Sequence, residues 1–174
     1  ATGRYQSNNG TTACLNCIPG KYQPQRQQQH CIDCEIGRAS STIAEKDSCR
    51  VCAKGTHQPD NGTTACLNCI PGKYQPNIEQ RKCIDCQVGK ASSKEARKTS
   101  CNNCTKGRYQ SNNGTTACID CIPGKHQDQP GKNQCFDCPT GTFSKNTRAE
   151  TCDVPREGFV AGPSKAGQVA VAVG

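Results

Sequence analysis

Methionine and tryptophan are absent from the 174 residues, and aromatic side chains amount to four Tyr and three Phe. Large aliphatic residues are almost as scarce, with two Leu, nine Ile and seven Val. This excludes an ordinary oily core, in which each large apolar side chain gains ~1.5–3 kcal/mol on burial. No apolar run approaches the length that crosses a bilayer, so no membrane insertion is expected of this segment. With a mean hydropathy of −0.79, the composition without cross-links would be that of a disordered chain.

What the sequence has instead is cysteine, 17 residues of it. Eight C-x-x-C pairs (14/17, 31/34, 49/52, 66/69, 83/86, 101/104, 118/121 and 135/138) are followed by a single Cys152, with first cysteines 17 or 18 residues apart. A glycine opens each unit in phase with them: Gly3, Gly20, Gly37, Gly55, Gly72, Gly89, Gly107, Gly124 and Gly141. The units are of three types that recur in order every 52 residues. The first type reads GRYQSNNGTTACLNCIP from Gly3, and close variants of it start at Gly55 and Gly107. The blocks are therefore 3–54, 55–106 and 107–152, nine short units within a cysteine-rich array over 1–152. Such quasi-one-dimensional repetition predicts an elongated rod or solenoid of small disulfide-rich units, each touching mainly its neighbours.

Within a unit the pattern predicts a short strand at the Tyr-Gln segment, a polar turn, and a second short strand leading into the C-x-x-C. Asn9-Gly10, Asn61-Gly62 and Asn113-Gly114 are hairpin-turn signals, because both central residues of such turns need positive φ. Ser40 to Ser48 and Ser92 to Ser100 carry Ala, Glu and Lys and leave a short helix open. An isolated helix of that length would be marginal in water.

Paired C-x-x-C motifs also build zinc ribbons, so the thiols could be metal ligands. Three features oppose this. A four-thiolate site consumes pairs two at a time, whereas this sequence repeats them three at a time; 17 is odd; and His30, His57 and His126 hold no regular ligand position. They read as surface imidazoles or substitutes for Tyr in the strand. Structural disulfides are therefore expected, with no metal and no cofactor. Pairing in modules of two conflicts with the three-unit period, whereas one scheme treats every unit alike: the second Cys of each pair bonds the first Cys of the next. That gives Cys17–Cys31, Cys34–Cys49, Cys52–Cys66, Cys69–Cys83, Cys86–Cys101, Cys104–Cys118, Cys121–Cys135 and Cys138–Cys152. Only Cys14 is left over, and its partner is expected just upstream of Ala1, in a preceding unit of a longer chain. Each loop of this size contributes on the order of 3 kcal/mol in the chain-entropy account.

The pattern C-x-x-C-x-x-G-x-(Y/F)-(Q/S), seen best at Cys138-Pro139-Thr140-Gly141-Thr142-Phe143-Ser144, resembles the ephrin-receptor-like cysteine-rich repeats. Those are similar in appearance to tumour-necrosis-factor-receptor and EGF-like modules. The resemblance covers residues 3 to about 152. It implies an extracellular or cell-surface location, in a receptor, adhesion protein or protist or algal surface protein, and a role as spacer or protein-contact module.

Asn9, Asn61 and Asn113 each head an N-G-T sequon at the same place in a block, so N-linked glycans are expected there, with Asn103-Cys104-Thr105 a weaker candidate. The net charge is +8, and Arg4, Lys21, Arg38, Lys73, Lys90, Arg108 and Lys125 each follow a unit-opening glycine. A basic stripe of this kind would suit nucleic acid or acidic glycans. Yet 14 acidic residues are interspersed and no aromatic stacking platform accompanies the cations, so a solvated face is expected, and no nucleic-acid partner. No catalytic constellation recurs with the repeat, and eight C-x-x-C pairs in loop-rich units lack the helix-start context of a redox pair. The sequence reads as a non-enzyme.

Residues 153–174 change abruptly to Gly, Ala and Val and read as a linker or, over Gln168 to Val173, an assembly strand. The expected function is an extracellular, disulfide-laddered, glycosylated rod acting as stalk, coat or filament component. Its partners would be further copies of itself in a filament or fibre, or neighbouring domains of a longer chain. The alternative is a receptor or adhesin ectodomain that binds a protein or glycan ligand.

Overall fold

The computed structural model describes residues 2–6, 13–41, 46–93 and 98–171. The chain divides into two compact units, one of Ala1–Ile70, Tyr74–Ile84 and Ala96–Ser100, the other of Pro71–Lys73, Asp85–Glu95 and Cys101–Gly174. Both are built from the same element. Among the described residues there are nine two-stranded antiparallel sheets, an isolated bridge between Phe143 and Asp153, and no helix.

The strands are short because little is available to pair. In the eight hairpins that contain a C-x-x-C, the first strand is the two residues after the opening glycine, as in Lys21–Tyr22. The second is the x-x of C-x-x-C itself, as in Ile32–Asp33, rather than residues leading into it. The strand register sets Lys21 opposite Asp33, Arg108 opposite Asp120 and Lys125 opposite Asp137, and it sets Tyr22 opposite Ile32. The helix left open at Ser40 to Ser48 and Ser92 to Ser100 falls partly on 42–45 and 94–97, outside the described residues; the described ends are not helical.

Asn-Gly does not make the tight turn expected. Thr56–His57 and Leu67–Asn68 are joined by a long loop, in which Gly62 has φ +68° while Asn61 is not left-handed. Gly114 repeats this at φ +69°, and Asn9-Gly10 lies outside the described residues. The glycine serves packing between units instead. All seven described residues that follow a unit-opening glycine by seven places are left-handed: Gln27, Gly62, Glu79, Gly114, Gly131, Arg148 and Lys165. At this point the loop bulges towards the unit two before it. The carbonyl oxygen of Gly62 lies 2.1 Å from where a Cβ on Gly20 would be, and Gly131 stands 2.0 Å from the same point on Gly89. The N–H of Gly62 meanwhile donates to the Cys34 carbonyl at 2.8 Å. Opening glycines therefore satisfy two demands, a φ near +80° and room for a backbone. Every opening glycine from Gly3 to Gly124 also donates its N–H to the next unit, as Gly20 does to Ser40 O and Gly37 to Gln58 O.

Residues 158–171 repeat this geometry without cysteine. Gly158 follows Gly141 by 17 residues, has φ +82°, and opens a hairpin of Phe159–Ala161 with Gln168–Ala170. Val171 donates to Gly158 O as each second cysteine does to its own glycine, for example Cys34 to Gly20 O. The left-handed residue is Lys165, and its Nζ supplies the bond to the Cys138 carbonyl that a backbone N–H makes in earlier units. The strand expected over Gln168 to Val173 is thus paired along one edge within its own chain; 172–174 lie outside the described residues.

Candidate functional site

Eight disulfides link Cys17–Cys31, Cys34–Cys49, Cys52–Cys66, Cys69–Cys83, Cys86–Cys101, Cys104–Cys118, Cys121–Cys135 and Cys138–Cys152. The register is second cysteine to next first. Each closes 14 or 15 residues of sequence. The second cysteine of every pair is buried, while most of their partners are half-exposed. Cys14 is the one free thiol and is exposed.

Between the sulfurs the core is polar. Gln23, Gln58, Gln75, Gln110 and Gln127 follow the first strand and are all buried, Gln127 completely. Each clamps its own loop twice. Gln75 Nε2 donates to Lys82 O at 2.7 Å, and its Oε1 accepts the N–H of Asn77 at 3.1 Å. Gln58 does the same with Ala65 and Asp60, and Gln127 with Gln134 and Gln129. A glutamine is long enough to satisfy both ends of the loop at once, so its burial leaves no amide atom without a partner. The third unit type has Ser at this place; Ser40 Oγ and Ser92 Oγ are buried with no hydrogen-bond partner among the described residues. The sequence holds a signal for this clamp, a Gln or Ser three residues after each opening glycine.

Cations after the opening glycine do not form an open stripe. Lys21 pairs with Asp33 at 2.5 Å, Arg108 with Asp120 at 2.5 Å and Lys125 with Asp137 at 2.6 Å; Lys73 pairs with Asp85, and Arg38 reaches Glu79 in a different hairpin. The hydrogen bond from Lys125, and then its charge, hold the Asp137 carboxyl below the usual 3.8. These pairs neutralise the face that would attract a polyanion. A basic groove of about 320 Å³ does remain beside the Cys52–Cys66 bond, where Lys46, Arg50 and Lys54 come together. Two shallow grooves recur at equivalent positions two blocks apart. One is formed by Tyr5, Ile18, Lys21 and Cys31, the other by Tyr109, Ile122, Lys125 and Cys135.

Of the sequons, Asn61 and Asn113 are exposed. Asn113 Oδ1 accepts the Val88 N–H at 2.9 Å, which leaves the amide nitrogen free of that bond. Asn103 is exposed and adjoins the buried, disulfide-bonded Cys104. Asn9 lies outside the described residues. His57 and His126 stand two places after the opening glycine, where Tyr5, Tyr22, Tyr74 and Tyr109 stand elsewhere, whereas His30 lies in a loop.

Residues 89–134 match the family described as tyrosine-protein kinase ephrin type A/B receptor-like. No curated protein matches the chain in sequence. The match spans the units opened by Gly89 and Gly107 and the Gly124 unit as far as Gln134, and takes in the Gln110 and Gln127 clamps and the Cys104–Cys118 bond. Disulfides in this number and a family of receptor-like repeats suggest an extracellular location. Among the described residues, no helix is long and apolar enough to cross a membrane. With the eight-rung ladder set beside this match, the chain is a cysteine-rich repeat protein that carries an ephrin-receptor-like segment.

Proposed function

We propose that this chain is a non-enzymatic, extracellular structural module, a disulfide-laddered and N-glycosylated repeat array that serves as stalk, coat or filament component. The observation that carries this reading is repetition: a glutamine clamp at Gln23, Gln58, Gln75, Gln110 and Gln127, a close glycine contact at Gly20, Gly37, Gly72, Gly89 and Gly107, and a cross-strand ion pair at Lys21, Lys73, Arg108 and Lys125. Repetition of this kind supports a spacer, because a recognition site needs at least one place that differs. The exposed Asn61 and Asn113 support glycans at a fixed interval along the array. Self-association is part of the proposal. The outer edge of the Phe159–Ala161/Gln168–Ala170 hairpin and its exposed Phe159, Val160 and Val169 are available to a second copy. Negative-stain microscopy and light scattering on the full secreted chain test it. Concentration-dependent fibres that are lost on deleting 159–174 support a filament component. A monomer at every concentration restricts the role to a stalk or spacer.

A second reading, a receptor or adhesin ectodomain, is favoured by the groove of Lys46, Arg50 and Lys54. No ion pair involving these three cations is found among the described residues, so an anionic glycan or acidic protein segment would be its ligand. Salt-sensitive retention on a sulfated glycan column, removed by changing all three to Ala, would favour that reading over a pure spacer.

A further inference from the structure

Two of the eight disulfides have an imidazole against them. His57 Nδ1 lies 3.2 Å from Cys83 Sγ, and one ligand atom each from His57, Cys69 and Cys83 falls within 4.8 Å of the other two. His126 stands in the same relation to Cys138 and Cys152. Its Nδ1 is buried and has no hydrogen-bond partner among the described residues. Folding does not call for a histidine here, since Tyr5 and Tyr109 hold the place of His57, and Tyr22 and Tyr74 that of His126, in the equivalent hairpins. A disulfide sulfur is a poor acceptor, and a buried ring nitrogen with no partner is a cost. In the oxidised form, then, the two imidazoles gain little from where they stand.

They would gain once the bond beside them opens. Two thiolates and a neutral imidazole are a ligand set for a borderline or soft cation such as Zn²⁺, with metal–sulfur distances of about 2.3 Å and metal–nitrogen distances of about 2.0–2.1 Å. A tetrahedron of those dimensions sets ligand atoms roughly 3.5–3.8 Å apart. The existing spacing, within 4.8 Å, already approaches this, and only the two sulfurs must separate, by side-chain rotation. The backbone around each cysteine is held by other bonds. Gln75 grips Lys82 O, next to Cys83, and Phe143 and Asp153 exchange hydrogen bonds of 3.0 and 2.7 Å, next to Cys152.

We propose that Cys69–Cys83 and Cys138–Cys152 are switchable bonds, each of which, once reduced by thiols, forms a Cys₂His site for Zn²⁺ with His57 or His126. Two molecules of a thiol reductant transfer two electrons to each disulfide, giving two cysteine thiols and one external disulfide. Binding of the metal then expels two protons as both cysteines become thiolates, the imidazole binds in its neutral form, and water fills the fourth position. The other six disulfides have no imidazole to complete a site. Metal therefore draws only these two towards the open state, by mass action on the reduced form.

The test equilibrates the full oxidised chain in a glutathione redox buffer, with and without Zn²⁺, followed by acid quench, thiol alkylation and peptide mapping, and by zinc stoichiometry from native mass spectrometry. The proposal expects Zn²⁺ to raise alkylation at Cys69, Cys83, Cys138 and Cys152 at least tenfold over the other bonded cysteines, with two zinc ions per chain. It also expects His57→Tyr with His126→Tyr, which installs the residue of the equivalent hairpins, to remove both effects. It is overturned if Zn²⁺ opens all eight bonds alike, if the opened pairs are others, or if the double variant takes up zinc as the parent does.

Discussion

Gly72 faces Gly114 so closely that a Cβ on the first would lie 2.1 Å from the carbonyl oxygen of the second, 42 residues on. No side chain fits there, and at φ +82° none is favoured. Gly141 has the same φ of +82° and nothing within 4 Å. Changing Gly141 to Ala should therefore cost only the backbone penalty, about 1–2 kcal/mol, while Gly72→Ala should cost clearly more because a backbone must move. Denaturant unfolding of the two variants measures the difference. Equal losses would mean that the contact two units on contributes nothing.

Gln75 tests the polar core. Gln75→Ala removes the acceptor of the Asn77 N–H and the donor to Lys82 O, each a group that costs about 1–3 kcal/mol when buried without a partner. The loop between its strands should open locally while the Cys69–Cys83 bond persists. Hydrogen exchange at the Asn77 amide, faster by at least tenfold in the variant, is the expected reading; unchanged protection would show that the disulfide alone holds the loop.

Much of this fold can be read from the sequence, because cysteine spacing acts as a ruler. The glycine phase and a uniform pairing register both follow from the 17- and 18-residue steps, and Cys17–Cys31 through Cys138–Cys152 carry that register in the structure. The same ruler hides what carries no cysteine. Gly158 is in phase with Gly141, yet without sulfur behind it the hairpin it opens reads as a linker. The ion pairs were obscured for a different reason. Lys21 faces Asp33 only because the second strand is the x-x of C-x-x-C, so a positional reading of the cations alone gives a basic stripe. Buried Gln75 and Gln127 escape because glutamine is ordinarily a surface residue.

Asp137 is expected to titrate below the ordinary value of 3.8, held down by the hydrogen bond and charge of Lys125. A carboxyl depressed in the folded state adds stability above its unfolded pKa, and that contribution fades as pH falls through the folded value. Since the group is exposed, the change in stability is small and the titration itself is the informative readout. Carbon-detected NMR should show the Asp137 midpoint rising in Lys125→Met; a midpoint that does not move would assign the shift to another charge.

N-linked sugar is expected at Asn61 and Asn113, which are exposed, and at Asn9, in protein secreted by its native source. Glycosidase treatment in heavy-oxygen water marks each occupied Asn by mass. Unmodified peptides at all three sites would leave N-G-T as a packing signal, with Gly62 and Gly114 its reason.

Peptide mapping of the native, unreduced protein with free-thiol alkylation addresses the oxidised ladder most directly, since the structural role depends on it. Eight linkages in the register Cys17–Cys31 to Cys138–Cys152, with every one of those cysteines protected from alkylation, is the expected result. A peptide joining Cys14 to Cys31 or Cys66 to Cys83, or free thiols throughout the C-x-x-C pairs, would contradict it.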